Sequence, residues 1–254
     1  MEFFTDFFEP GHMAELLSRW GHYLAGVTWI GLLYYFNFVQ TPAFAEMTAE
    51  SRSEALRKIA FRALWWFRFG ALLTLLTGLM ILGFQKNLGS NFSDYFQTAQ
   101  GTSIAFGALL GITMFTNVWA IIWPAQKIVI GSAETVAAGG EADPRAATVA
   151  KPAARASRAN TLMSIPMLFF MAFTSHGSFT LFGTPEIGGG SLLSAWVVFV
   201  VVLAVIEGSA LGWYGGYDGA LPTRLFDDHR QTIIWGFVAW AVLYFLAFEV
   251  MIGS

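Results

Sequence analysis

The sequence predicts an all-α integral membrane protein, a bundle of about six transmembrane helices with both termini on the periplasmic side. Three observations carry this expectation. Of 254 residues, 56% are hydrophobic and 12% charged, with mean hydropathy +0.56, a composition outside the ordinary soluble range. Six apolar runs, at residues 17–40, 61–84, 103–123, 160–182, 191–214 and 230–252, approach or exceed the roughly 20 residues with which a helix crosses a bilayer. Eleven of the fourteen basic residues fall in the segments after the first, third and fifth runs, against two, Arg19 and Lys86, on the other side. Because Lys and Arg are retained on the cytoplasmic face, this asymmetry describes a multi-pass protein of the bacterial inner membrane.

Taken in order, residues 1–15 read as a short interfacial segment, with Phe4, Phe7 and Phe8 at helical spacing. They lack the basic start of a signal peptide. The first run, LSRWGHYLAGVTWIGLLYYFNFVQ, carries His22 and, one turn on, Gly26, which has no side chain to keep a flat cofactor or a neighbouring helix away. SRSE at 51–54 is a capping-box pattern, and it predicts a short helix leading straight into the second run. Residues 132–158, Ala- and Gly-rich with Pro144 and Pro152, read as a flexible or loosely helical inner loop. Pro166 is expected to kink the fourth run. Met163, Met167 and Met171 form a stripe on it that reads as core packing rather than metal ligation. The whole of 1–254 reads as one membrane domain.

Polar residues inside such runs are where chemistry is sought, because each is costly in lipid. At 1.5 Å per residue, His22 lies roughly 8 Å and His176 roughly 9 Å below the outer surface. Two axial imidazoles at one level with small residues beside them suit a b-type haem held between helices. Gly26, Ala172 and Gly177 supply the small residues, and Arg19, one turn outward from His22, stands where a propionate would want a cation. The alternatives are another metal, or two structural histidines bonded to neighbours such as Thr174, Ser175 or Ser178. His12 reads as a periplasmic surface residue, with a third ligand as the alternative, and His229, beside Asp227 and Asp228, as the solvated start of a helix. The absence of cysteine excludes covalent c-type haem, thiolate metal sites and disulfides. Nothing in the charge pattern points to nucleic acid.

A second polar set, Arg68, Asn117 and Glu207, lies roughly 10 Å from the inner face. Arg68 and Glu207 are expected to pair or to line a polar cavity, serving a proton route, a quinone or substrate pocket, or structure alone. They are the catalytic candidates. Glu249 reads as solvated near the outer end of the last run.

RWGHYLAGVTWIGLLYYFNFVQTPAFA (19–45), RALWWFRFGALLTLLTGL (62–79), TNVWAIIWPAQKIVI (116–130) and RANTLMSIPMLFFMAFTSH (158–176) resemble the membrane domain of the bacterial cytochrome-c-linked urate oxidase, or urate hydroxylase, family. The likeness is weaker in the last two runs. Without a CxxCH signature, the chain resembles that membrane domain without its cytochrome c domain. The resemblance implies electron transfer from a substrate such as urate, or from a quinol, to a c-type cytochrome or another respiratory partner, as an oxidoreductase or one of its subunits. Two other classes stand beside it: a cofactor-free accessory subunit of a respiratory complex, and a carrier for purines or similar small anions.

Overall fold

The computed structural model describes residues 10–84, 92–177 and 188–252, and among them the chain is helical with no β-sheet. The Phe4, Phe7 and Phe8 face lies outside the described residues. Helix α1 (Pro10–Tyr34) opens into a π-helical turn, π1 (Tyr35–Gln40), and continues as α2 (Thr41–Glu46). Next, α3 (Ala49–Ala55), π2 (Leu56–Ala60) and α4 (Phe61–Phe84) form one unbroken rod. A single turn, α5 (Phe92–Tyr95), precedes α6 (Ala99–Thr116), π3 (Asn117–Ile122) and α7 (Trp123–Ala137). The long α8 (Arg145–His176) is followed by α9 (Gly189–Ala210), α10 (Ala220–Phe226), α11 (His229–Ala241) and π4 (Val242–Val250).

Four rods are long and apolar enough to cross a membrane: Ala49–Phe84, Ala99–Ala137, Gly189–Ala210 and His229–Val250. Their outer faces remain apolar in the folded chain, with Leu193 66% and Val200 57% exposed, as lipid contact requires and water would penalise. The two histidine-bearing helices, α1 and α8, fall outside this set. Trp, Tyr, Arg19 and His22 lower the hydropathy of α1, and Asn160, Pro166, Ser175 and His176 do the same for α8.

Within the bundle α8 is the central element. It packs against α6 on one side and α11 on another, and also meets α1, α7 and α9. Its buried residues include Asn160, Thr161, Ser164 and Thr174 as well as Leu162, Met163 and Phe170. A polar helix survives there because each group finds an internal partner, the condition an apolar surrounding imposes. Asn160 Nδ2 donates to the Met114 carbonyl at 2.9 Å, and its Oδ1 accepts from Asn117 Nδ2 at 2.9 Å. Tyr34 Oη and Ser164 Oγ are 2.9 Å apart, and Asn37 Nδ2 donates to Ser157 Oγ at 2.9 Å. Those last two contacts tie α1 and π1 to α8 at one end of the pair.

Two of the π turns have a cause in the sequence. Pro42 follows π1 and Pro124 follows π3, each within the first two residues of the next helix. A proline ring inside a helix collides with the carbonyl four residues back, and widening by one residue relieves that clash. At π1 the Thr41 N–H accordingly reaches back to the Phe36 carbonyl, and at π3 the Trp123 N–H reaches back to Val118.

Several expectations are corrected. The flexible inner loop at 132–158 is mostly helix: α7 runs to Ala137 and α8 starts at Arg145, with Pro152 inside it. Alanine's helix propensity outweighs the breaker signals there. Residues 10–15 are already part of α1, which runs without a break from Pro10 into the first run. The cap before α3 is Thr48, whose hydroxyl accepts from the Ser51 N–H, rather than Ser51 itself. His176 is the last residue of α8, with Gly177 in extended conformation after it, so the depth that assumed a helix continuing to residue 182 does not hold; residues 178–187 lie outside the described part.

Asn160→Ala should lower unfolding stability by about 1–3 kcal/mol, because it removes two hydrogen bonds, to the Met114 carbonyl and from the Asn117 amide, in an apolar core. Thr28→Ala, which removes only a bond to the carbonyl of Leu24 on an exposed face, should change it by less than about 0.5 kcal/mol. Thermal or denaturant unfolding in one detergent would compare the two, and equal losses would refute the central role given to Asn160.

Candidate functional site

Two tightly packed helix pairs, α1 with α4 and α6 with α8, enclose a mostly apolar cavity of about 520 Å³. Both His22 and His176 line it, together with Arg19, Trp29, Gly78, Met167 and Met171. The cavity lies at the end of the bundle away from the Tyr34–Ser164 and Asn37–Ser157 contacts, where α1 and α8 are no longer tied.

His22 is oriented by α4. Its Nδ1 lies 2.9 Å from the Thr74 carbonyl oxygen and 3.2 Å from Thr77 Oγ1. A carbonyl only accepts, so Nδ1 carries a hydrogen, and in the neutral ring the lone pair then sits on Nε2. This is the arrangement in which a ligating histidine is held by its other nitrogen. The ring fits because residue 78 is glycine: a Cβ there would lie 3.2 Å from His22 Cε1. Gly70, two turns along α4, permits the helix contact itself, since its Cβ would meet the Trp29 backbone nitrogen at 3.2 Å. Gly26, by contrast, faces open space and is not among the cavity-lining residues. The close approach expected at Gly26 is provided from the opposite helix.

His176 is placed less rigidly. The preceding turn of α8 is clamped to α6, with Gln100 Nε2 donating to the Thr174 carbonyl at 3.1 Å and Thr174 Oγ1 donating to Ser103 Oγ at 2.9 Å. Thr174 is therefore committed to α6 and does not hold the His176 ring. Met167 and Met171 form part of the wall while Met163 is buried in the core. Pro166 is buried inside α8 between these two regions.

Arg19 is not a free cation. Its Nη2 and Nε bond Glu15 Oε1 at 2.7 and 3.0 Å, a pairing one turn apart that Glu15 and Arg19 announce in the sequence. Trp29 stands two turns along α1 from His22, in the pattern HxxxGxxWIG. It is 3% exposed, lines the cavity, and its indole N–H has no partner. Among the described residues no three His, Asp or Glu side chains gather into a metal cluster. His12 is exposed in the first turn of α1, and His229 sits beside Asp228, the capping residue of α11, at 3.4 Å.

The Arg68–Glu207 pairing does not form. Glu207 Oε2 accepts instead from Asn117 Nδ2 at 3.1 Å, which joins it to Asn160. The Arg68 guanidinium carbon lies 3.7 Å from the Trp123 ring centroid and 4.7 Å from that of Phe69. Aromatic faces on α4 and α7 thus shelter the cation where a carboxylate was expected. RALWWFRF and VWAIIW carried that signal. Near the other end of the bundle, Glu249 is bonded by the Tyr244 hydroxyl rather than simply solvated.

Residues 90–206 match the family model described as urate oxidase N-terminal. Over that stretch the chain is similar to the urate oxidase N-terminal family. The urate oxidase-like stretch contains α6 to α8 and most of α9, and with them Asn117, Asn160 and His176. His22, Arg19, Gly26, Arg68 and Glu207 lie outside it. Two of the four resembling sequence blocks, at 116–130 and 158–176, fall inside, and the match also extends into α9, where the likeness had been read as weaker. No curated protein and no solved structure matches the chain.

The neutral His22 ring should be found in the Nδ1–H form by ¹⁵N magnetic resonance of histidine-labelled protein. Thr77→Val should leave that form in place, since the carbonyl is the closer partner, whereas Gly78→Val should displace the ring and shift both nitrogens. A predominantly Nε2–H ring in the unsubstituted protein would contradict this geometry.

Proposed function

We propose that this urate oxidase-like chain is a six-span redox protein of the bacterial inner membrane that binds b-type haem between His22 and His176 and passes electrons to a c-type cytochrome or another respiratory partner. The observation that carries the reading is a shared cavity between two helix pairs, with His22 on one pair, its Nδ1 held by the Thr74 carbonyl, and His176 lining the cavity from the other pair. The apolar lining fits a flat, largely apolar group. When bound, a b-type haem supplies a one-electron couple. His22 would be the rigid ligand and His176 the adjustable one. The Glu15–Arg19 pair, near-neutral overall, would orient a propionate through the Arg19 side facing the cavity. In this topology α1 and α8 cross with the four apolar rods, and both termini face the periplasm, where a cytochrome would dock.

The unpartnered Trp29 N–H favours a second reading of the same cavity. An indole donor left dry is costly, and neither imidazole ligand answers it. A ligand with a carbonyl oxygen, such as a quinone or an oxopurine like urate, would. A cofactor-free accessory subunit or a small-anion carrier has no comparable observation in its favour.

Reduced-minus-oxidised spectra with pyridine haemochrome quantification should give one haem b per chain, lost in His22→Ala and in His176→Ala. A colourless, metal-free protein would overturn the haem reading. If binding of a ubiquinone analogue or urate to that colourless protein then weakened in Trp29→Phe, the carbonyl-ligand reading would stand in its place. Topology has its own check, since the chain has no native cysteine. Cysteine introduced at Glu141 should react with impermeant maleimide only from the cytoplasmic side, and at Gly11 only from the periplasmic side; the reverse pattern would invert the orientation.

A further inference from the structure

A second cavity, of about 330 Å³, lies at the opposite end of the bundle, between π1, α4, π3, α7, α8 and α10. Its cationic wall is Lys151, Arg155 and Arg158, against one carboxylate, Asp227; Phe36, Phe67 and Phe226 supply an apolar wall. Lys151 is paired with Asp218, and Arg155 is only 5% exposed. Arg155 Nη2 contacts Asp227 Oδ1 at 2.6 Å and donates to the Tyr217 carbonyl at 3.0 Å, while Nη1 donates to the Pro222 carbonyl at 3.3 Å. These contacts leave Arg155 Nε without a partner.

Two further orphans line the same cavity. Arg158 Nη1 is a buried donor with no acceptor, and Gln40 Oε1 is a buried acceptor with no donor. Buried polar groups are normally satisfied, and each exception is costly. Two guanidinium donors ask for an oxyanion, and the amide oxygen asks for a hydroxyl on the same molecule. The apolar wall asks for a hydrocarbon portion. The proline-driven π turns contribute to the cavity from both sides: Gln40 and Asn37 come from π1, and Ile122 from π3. Such widened turns recur at ligand sites.

We propose that this cavity binds the head of an anionic glycerophospholipid whose phosphodiester meets Arg155 and Arg158 and whose headgroup hydroxyl donates to Gln40. Phosphatidylglycerol has that chemistry; glycerol 3-phosphate, a soluble phosphate monoester, offers the oxyanion and hydroxyls without the hydrocarbon. The lipid is the source chosen here because apolar wall and basic rim adjoin at the Lys- and Arg-rich end of a membrane-capable bundle, where anionic headgroups collect. The site is separate from the histidine cavity and does not depend on the haem reading.

The full chain, delipidated and reconstituted into nanodiscs of phosphatidylcholine with and without phosphatidylglycerol, would be examined by native mass spectrometry and ³¹P magnetic resonance. The expected result is one phosphatidylglycerol retained per chain from mixed discs. Arg158→Gln and Gln40→Glu should each lower retention about tenfold, the loss of one charge-assisted bond or the gain of one repulsion. Gln40→Glu carries the test if Arg158→Gln does not fold. Retention unchanged in the folded variants, or no preference over phosphatidylcholine, would overturn the site. Binding of glycerol 3-phosphate without retention of phosphatidylglycerol would overturn the lipid as its source.

Discussion

The bundle depends on the satisfaction of polar groups along α8. That helix has 32 residues, roughly 48 Å at the α-helical rise, against a hydrocarbon thickness of roughly 30 Å. It is also among the most polar of the long helices, and it is the most central. Outer helices can be apolar and undemanding because α8 collects the directional bonds: to Asn117 and Met114 through Asn160, to α1 through Ser164 and Ser157, and to α6 through Thr174. In lipid the hydrophobic effect scarcely distinguishes one helix contact from another. Hydrogen bonds and close-packing glycines therefore decide which helices become neighbours.

The same constraint explains why the two cavities occupy opposite ends. At the basic end, the bonds to Tyr34 and Asn37 draw α1 against α8, and the prolines at 42 and 124 widen the helices at that level. At the histidine end, α1 is bound to α4 through Gly70 and His22 while α8 is bound to α6 through Gln100 and Ser103. Each pair is firm and the gap between pairs is left open. Both openings are by-products of where directional bonds were placed.

Much of this was legible in the residues. Run lengths and composition gave the helices, and the isolated histidines at 22 and 176 marked one cavity from opposite sides of the sequence. What was not legible followed from three-dimensional partnership. Gly26 lies one turn from His22, so local spacing nominated it, but the space for the ring was made by Gly78, which no spacing rule connects to residue 22. Arg68 and Glu207 had opposite charges at similar depth, yet aromatic rings and Asn117 are their nearer neighbours. The segment 132–158 was misread because glycine and proline were weighted above a continuous supply of alanine. The unsatisfied N–H of Trp29 was not legible, because a tryptophan in an apolar run carries no mark of it until its surroundings are known.

The contact between His22 and the Thr74 carbonyl has a genetic consequence. A main-chain oxygen is present whatever side chain occupies position 74, so point substitutions there leave the acceptor intact. Register is another matter. One residue inserted in α4 between the Gly70 contact and Thr74 would turn the following carbonyls about 100° around the helix axis and carry the acceptor away from the ring, together with the glycine that makes room for it. The imidazole's chemical identity is thus encoded in the count of residues along α4 more than in their kind, and drift in this part of the sequence should accumulate replacements while excluding insertions and deletions.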